Sequence, residues 1–170
     1  MAVPLAEAAP GTLAKVFSAV LAERDAQLSA LKQGWVEKAD NLLKWVKDQL
    51  APKKHGWNGR LLQLGRSENW LDALKAWAQS NGDFSALKEA MGSGWNRFTP
   101  EGLLACRKDG DVVDLPAESQ AYAQLLEGLE ALPEPAQAAR LHARTHVLQR
   151  MADLKRRSGL FGFADMLQRL

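Results

Sequence analysis

The sequence predicts an all-α protein, a single irregular bundle of about six to eight helices that forms one domain over residues 1–170. The chain has 170 residues, 46% of them hydrophobic, which suffices for one core but not for two. Apolar residues recur every three or four positions through most of it, the spacing of one helix face. Strand signals are nearly absent, because the only β-branched cluster is "DVVDL" at residues 111–115.

The first two helices are predicted from a cap and from an apolar stripe. Thr12 caps a first helix that runs to about Gly34. A second helix follows and ends before Pro52. Its stripe consists of Trp35, Val36, Ala39, Leu42, Leu43, Val46 and Leu50. Residues 53–66 are predicted to form a loop with a short turn of helix.

Capping signals define the elements in the middle of the chain. Ser67 is predicted to cap a helix whose apolar side chains are Trp70, Leu71, Leu74 and Trp77. The "NGD" at residues 81–83 ends this helix, and a shorter one runs from Phe84 to about Met91. Thr99 is the predicted cap of a further helix, with Pro100 at its first position.

The last third of the chain contains an acidic loop and three predicted helices. The loop covers residues 109–114, and helices follow at about 117–132 and 135–157, divided by "PEP". The chain then turns at Ser158 and Gly159, and a final helix starts near Phe163. Because no stop signal follows Phe163 to Leu170, the chain is expected to have been cut from a longer protein.

Charge is distributed unevenly along the chain, although the net charge is only +2. Residues 31–66 carry eight basic and three acidic groups, and residues 140–157 carry six basic and one acidic. Seven acidic residues and no basic one lie between Asp109 and Glu134. The fold could therefore present positive surfaces to an anionic partner, and the alternative is that each block is an ordinary solvated face.

The single cysteine and the hydropathy pattern indicate the compartment. Cys106 alone allows no internal disulfide and no multi-cysteine metal site, which favours the reducing cytoplasm. No stretch approaches the roughly 20 apolar residues of a membrane span, and the N-terminus lacks a basic region before its apolar residues. A cytoplasmic protein without a membrane partner is expected.

Several kinds of catalytic chemistry are missing from the sequence. No Gly is followed by Lys, so the phosphate-binding P-loop is absent, and no Asp-Glu pair is present to hold Mg²⁺. His142 and His146 have metal-ligand spacing, but "AR" replaces the glutamate of a zinc protease helix and a third ligand is not evident. Cys106 lies in no recognisable nucleophile motif and is expected to be a buried thiol. No catalytic residue, metal site or cofactor is predicted in these 170 residues.

The loop between the second and third helices contains a candidate nucleic-acid contact. Trp57 is flanked by glycines and lies near Lys53, Lys54, His55 and Arg60. An aromatic ring among cations can stack on an unpaired base or act as a wedge. The alternative is a loop anchor packed onto the core. Trp35, Trp70 and Trp77 lie on apolar stripes and are predicted to pack in the core.

The basic helix at 140–157 divides into two arcs when it is drawn at about 100° per residue. The apolar arc spans roughly 140° and consists of Leu141, Val147, Leu148, Met151 and Leu154. The opposite, basic arc consists of His142, His146, Arg150, Arg156 and Arg157. Asp153 is expected to lie beside the basic arc, which leaves it without an acid and suited to phosphate. Alternatively, Arg140, Arg144 and Lys155 lie along the core with buried stems and pair with the acidic residues at 109–134.

The C-terminal segment "ARLHARTHVLQRMADLKRRSGLFGFADMLQRL", Ala139 to Leu170, resembles a segment of superfamily 1 DNA helicases of the UvrD/Rep type, most closely the RecB-like (exonuclease V beta) and AddA-like branch. In that family a basic helix, a turn with Gly and the motif Phe-Asp-Asp-Leu-Leu lead the chain back into motor domain 1A. Ala164 replaces the first Asp of the motif. The matching positions here are Lys155, Gly159, Phe163, Asp165, Met166 and Leu167.

Upstream, "NWLDALKAW" and "SGWNRFTPEGLL" look like the helical 1B insertion of RecB-like proteins. The resemblance implies an excised 1B-type subdomain, with residues 158–170 starting the return into domain 1A. It also implies a parent that unwinds DNA with ATP and Mg²⁺ in recombination and repair, with exonuclease activity as an option. The family's P-loop and its Asp-Glu box lie outside this chain.

The partners that follow are DNA, as duplex or fork and independent of sequence, the remaining helicase domains, and accessory subunits of a helicase-nuclease complex. The residues predicted to contact DNA are Lys53, Lys54, Trp57, Arg60, His146, Arg150, Arg156 and Arg157. A second hypothesis is a helical protein-interaction module whose basic face docks an acidic partner subunit. A steep salt dependence of DNA binding would separate the two hypotheses. An enzyme acting alone comes third.

Overall fold

The computed structural model describes residues 13–53, 55–108 and 113–158, and these residues form helices joined by turns. The α-helices are α1 (Leu13–Lys32), α2 (Trp35–Leu50), α3 (Leu64–Gln79), α4 (Phe84–Met91), α5 (Pro100–Leu104), α6 (Ala117–Glu130) and α7 (Pro135–Ser158). A 3₁₀ turn, Gly92–Gly94, follows α4. Within the described ranges the extended structure is limited to an isolated bridge between Trp57 and Arg107. The predicted all-α class is confirmed.

The chain divides into two compact units. The core unit is Ala26–Leu132, and the terminal unit combines Met1–Asp25 with Pro133–Leu170. The buried hydrophobic cluster runs from Leu28 to Leu132 and so belongs to the core unit. In the terminal unit, α7 buries none of its residues, and the Arg24 guanidinium donates to the Pro133 carbonyl at 3.1 Å.

The core unit is built around the apolar stripe of α2. The face of α2 that packs against α3 and α6 carries buried residues at helical spacing. These residues are Trp35, Ala39, Leu42 and Val46. The predicted stripe is therefore confirmed at these positions, whereas Val36 lies at its margin and is exposed. Gly34 separates α1 from α2 with a left-handed φ of 74°, which favours glycine because it has no Cβ.

Helix α3 begins earlier than its sequence suggests. The predicted cap, Ser67, lies inside the helix, since its backbone N–H donates to the Gln63 carbonyl at 2.9 Å. Helix α3 starts at Leu64 with Gln63 as N-cap, and no side chain caps it. Ser67 is fully buried, and its hydroxyl has no hydrogen-bond partner within the described ranges. The prediction that Ser67 caps this helix is wrong, because the hydrogen-bonded helix extends one turn further towards the N-terminus.

The caps of α4 and α5 are formed by side chains. Asp83 accepts a hydrogen bond from the Ala86 N–H at 3.2 Å. Thr99 accepts from the Gly102 N–H at 3.0 Å and donates to the Asn96 carbonyl at 3.1 Å, which confirms it as the predicted cap. Residue 102 must be glycine, because a Cβ there would overlap the Asn96 carbonyl oxygen.

Tyr122 connects α6 to the aromatic core. Its ring makes edge-to-face contacts with Trp35 and Phe98 at centroid distances of 5.8 and 6.0 Å. Its hydroxyl donates to the Trp95 carbonyl at 2.8 Å, and burial raises the pKa of this phenol well above its usual range. Of the predicted core tryptophans, Trp35 and Trp77 are buried, and Trp70 is partly buried and makes an edge-to-face contact with Phe98.

Candidate nucleic-acid interface

The loop between α2 and α3 is held by Trp57. This side chain is only 1% exposed and makes an edge-to-face contact with Trp45 at 5.5 Å between ring centroids. Its Nε1 donates to Gln49 Oε1 at 3.2 Å, and the Arg107 guanidinium lies 4.8 Å from the ring centroid. One partner of the ring therefore comes from the residues that follow α5.

Backbone hydrogen bonds join the same two segments. The Asn58 N–H donates to the Cys106 carbonyl at 2.7 Å, and the Lys108 N–H donates to the Gly56 carbonyl at 2.9 Å. A buried ring between two hydrogen-bonded segments presents no face to an incoming base. The prediction of Trp57 as a stacking or wedge residue is thus contradicted, because folding uses the ring to anchor the loop, which was the alternative interpretation.

The cations of this loop remain available at the surface. Lys53 and Arg60 are exposed, as predicted, whereas Lys54 lies outside the described residues. The backbone bonds also bring the exposed Lys108 to the loop, next to Gly56. We call Lys53, Arg60 and Lys108 the loop patch. Lys108 was missed in the sequence, since no local pattern reveals a contact between residues so far apart.

The buried thiol of the chain belongs to Cys106, whose carbonyl accepts the hydrogen bond from the Asn58 N–H of the loop. Cys106 is fully buried, its Sγ accepts from the Arg97 guanidinium at 3.1 Å, and it donates to the Gly102 carbonyl at 3.1 Å. A thiol so enclosed is structural and cannot reach a substrate. The expectation of a buried thiol is confirmed.

The second group of predicted contacts lies on α7, in the terminal unit. Of the basic arc, His146, Arg150, Arg156 and Arg157 are exposed and His142 is half-buried. Neither Arg150 nor Arg157 forms an ion pair with a residue that the structure describes. An external anion can therefore bind these two guanidinium groups without displacing a carboxylate of the described residues.

Asp153 corrects one expectation about this helix. Taking Arg140 as zero, Asp153 falls at about 220°, between His142 at about 200° and His146 at about 240°. It lies within the basic arc, and it forms an ion pair with Arg156 one turn further on. The prediction of an arc without an acid is wrong. Because both side chains are more than half exposed, the pair is weak and can exchange for a phosphate.

The two histidines of the basic arc stack on each other. The ring centroids of His142 and His146 lie 6.4 Å apart with an interplanar angle of 6°. No group of three or more His, Cys, Asp or Glu side chains is placed to hold a metal ion within residues 13–53, 55–108 and 113–158. The pair thus contributes ring surface to the basic arc.

The cations near the apolar arc are also at the surface. Arg140 and Arg144 are exposed, which contradicts the alternative that their stems lie buried along the core, because α7 buries no residue at all. Lys155 is half-buried and is the only residue of the family motif among those described. The other positions of the family motif lie outside the described residues; they are Gly159, Phe163, Asp165, Met166 and Leu167.

The core unit also contains an acidic cleft. Its volume is about 510 Å³, and Glu101, Glu127 and Glu130 line it together with Thr99 and Leu126. The carboxylates repel phosphate, so the cleft is unsuited to nucleic acid. Its lining residues include no histidine, cysteine or lysine.

Comparison of the chain with known proteins found no matching family model, no matching curated protein and no matching solved structure. In the described part of the chain, no helix combines the length and the apolar character needed to cross a bilayer.

Proposed function

We propose that this chain is a DNA-contacting accessory subdomain of a RecB-like, ATP-dependent DNA helicase, and that it has no ATPase site of its own. The observation that carries the proposal is α7, a helix that buries none of its residues. Arg150 and Arg157 stand exposed on its basic arc without an ion-pair partner among the described residues. A long cationic helix of this kind suits the regularly spaced charges of a nucleic-acid backbone.

The geometry favours contacts to the backbone over contacts to bases. Arg150 and Arg157 are seven residues apart, which places them about 10 Å apart along one side of the helix. Duplex DNA carries one phosphate per about 3.4 Å on each strand, so two such side chains reach separate phosphates. Arginines that contact phosphates tolerate any sequence, and a translocating motor requires this tolerance.

The loop patch supplies a second set of phosphate contacts. Lys53, Arg60 and Lys108 are exposed, and the buried Trp57 fixes the loop that carries the first two. A fixed loop loses little entropy when its cations bind. The proposal assigns Trp57 a structural role and leaves the DNA contacts to the cations.

The role within the parent follows from the resemblance to RecB-like helicases. Unwinding is driven by ATP and Mg²⁺ in the motor domains, whose P-loop and Asp-Glu box this chain does not contain. The polypeptide that contains this chain should therefore carry a P-loop before it and an Asp-Glu box a few tens of residues after it. A longer reading frame with neither motif would overturn the assignment to a helicase.

DNA binding is tested with fluorescein-labelled duplex DNA and the whole 170-residue chain. Affinity should be weak and should fall steeply with salt, because each phosphate contact contributes about −0.9 to the slope of log K against log salt concentration. Replacing both Arg150 and Arg157 by Glu should weaken binding by about 60-fold at about 0.1 M salt, which is the counterion term for two contacts. The matched control reverses two charges in the core unit, Lys44→Glu on α2 and Arg66→Glu on α3, both at exposed positions, and should have little effect.

Two results would contradict this part of the proposal. One is an affinity for duplex DNA that barely changes with salt, which would favour a protein partner for the basic arc. The other is an equal loss of affinity in the Lys44→Glu, Arg66→Glu control and in the Arg150→Glu, Arg157→Glu variant. That outcome would show that only the net charge matters, wherever the charge lies.

A further inference from the structure

The apolar arc of α7 is a surface that the proposed DNA contact does not use. Its five large side chains are each 50–56% exposed. They extend over about 20 Å of helix, from Leu141 to Leu154. Single exposed apolar residues are common on proteins, but a continuous stripe of this length marks a docking surface. The middle of the stripe lies about 110–130° around the helix from Arg150 and Arg157.

Three cations lie within the apolar arc. On the scale where Arg140 is zero, Arg144 falls at about 40° and Lys155 at about 60°, close to the middle of the arc at about 30°. Arg140 and Arg144 are exposed, and neither has an ion-pair partner in the part of the chain that the structure describes. A surface that covers this arc must bring acidic groups to these positions, because a buried guanidinium without a partner is strongly destabilising.

We propose that the apolar arc docks an acidic amphipathic helix of a partner protein. The partner's apolar side chains, spaced at three and four residues, would pack between Leu141, Leu148 and Met151. Its Glu or Asp side chains would pair with Arg140 and Arg144 along the seam. The charge of the arc determines this choice, since it contains cations and no acid. The inference goes beyond the proposed function, because it leaves the basic arc free for DNA.

The same charges argue against two other occupants. A helix that lies on a lipid surface carries its cations on the polar face, whereas Arg140 and Arg144 would be at the deepest point here. A second copy of α7 would oppose cation to cation across the seam, which is unfavourable. A partner helix with acidic flanks satisfies both the apolar and the charged groups of the arc.

Binding is tested with a labelled helical peptide of about three heptads, with Leu at a and d and Glu at the flanking positions. Fluorescence anisotropy measures its affinity for the 170-residue chain. One control peptide has the same composition in scrambled order, and another carries Lys in place of every Glu. Both controls should bind at least about tenfold more weakly than the acidic helix, because each lacks either the apolar stripe or the acidic flank.

Variants of the chain locate the binding surface. Three substitutions within the apolar arc should each weaken peptide binding by about tenfold: Leu148→Ser, Met151→Ser and Arg144→Glu. All three side chains are exposed, so these changes should leave the helical circular dichroism signal intact. Leu104→Ser, at another exposed leucine, and Arg150→Glu, on the basic arc, are the matched controls and should change peptide affinity less than about twofold. Because Arg150→Glu should weaken DNA binding alone, failure of this inference is separable from failure of the proposed function.

Four results would overturn the inference. The first is equal affinity for the acidic and the scrambled peptide, and the second is unchanged affinity in Arg144→Glu. The third is that the chain does not bind the peptide but adsorbs to vesicles of anionic phospholipid, and that Leu148→Ser abolishes this adsorption. The fourth is self-association in sedimentation that Leu148→Ser abolishes, which would identify a second copy as the occupant.

Discussion

Truncation of Trp57 should destabilise the fold strongly, whereas a residue that serves only to stack on DNA should be dispensable for stability. The ring is 1% exposed. Burying a tryptophan removes about 150–250 Å² from water, which is about 4–6 kcal/mol at about 25 cal/mol per Å². The edge-to-face contact with Trp45 adds about 1 kcal/mol, and partial collapse of the site offsets part of the loss. We expect Trp57→Ala to lower the free energy of unfolding by about 4 kcal/mol.

Urea denaturation followed by circular dichroism measures this change. At a slope of about 2 kcal/mol per M, a loss of about 4 kcal/mol lowers the midpoint by about 2 M. Such a loss is a large part of the stability of an ordinary domain, so Trp57→Leu serves as a milder variant with an expected loss of about 2–3 kcal/mol. Arg60→Ala, at an exposed position of the same loop, should change stability by less than about 0.5 kcal/mol.

Nucleic-acid binding by the folded Trp57→Leu variant completes the comparison. Leucine cannot stack on a base as tryptophan does, so loss of a stacking contact would weaken single-stranded DNA binding by about 1–3 kcal/mol. We expect no such loss, because the buried ring has no face for a base. Two results would show that Trp57 does not act as a structural anchor: a Trp57→Ala variant within about 1 kcal/mol of the parent chain in stability, or a loss of DNA affinity of about 1–3 kcal/mol in Trp57→Leu.

Three further predictions concern the core unit, and urea denaturation measures each of them. Gly102→Ala should lower the free energy of unfolding by more than about 3 kcal/mol, because its Cβ would overlap the Asn96 carbonyl. Gly65→Ala, in open space on α3, should raise it by about 0.5–1 kcal/mol. Similar effects at both positions would contradict this. Asp83→Ala should lose about 1 kcal/mol by removing the cap of α4, and Asp83→Asn should restore most of it; equal losses would show that capping is not the cause. Burial raises the pKa of Tyr122 in the folded state, so the unfolded state loses this proton first as the pH rises. The free energy of unfolding should therefore be unaffected by Tyr122 below about pH 10, where both states hold the proton, and should fall above about pH 10. A Tyr122→Phe variant with the same alkaline slope would contradict this.

The helical pattern could be predicted from the sequence because it is local. The stripe of α2 and the Thr99 cap each depend on residues within a few positions of one another, and both are confirmed. The start of α3 could not be predicted in the same way. Ser67 has the residue type of a cap, but its burial and its place in the helix follow from packing within the core unit.

In the candidate nucleic-acid interface, too, features that depend on nearby residues could be predicted and features that depend on distant residues could not. Charged side chains stay in water when no partner is buried with them. Four of the predicted DNA contacts are accordingly exposed, namely Lys53, Arg60, Arg150 and Arg157. Trp57 could not be assigned from its neighbours in sequence, since its partner Arg107 comes from a distant segment. The role of Asp153 was available from the helix angles alone, because i and i+3 residues share a face.

A photo-crosslinking experiment determines which side of α7 faces DNA. Gln149 falls at about 180° in the basic arc and Leu148 at about 80° in the apolar arc, and both side chains are exposed. A benzophenone amino acid is placed at each position in turn and irradiated with duplex DNA at low salt. We expect crosslinks from position 149 that disappear at high salt, and few from position 148. Equal crosslinking from both positions, or crosslinking mainly from 148, would contradict this expectation.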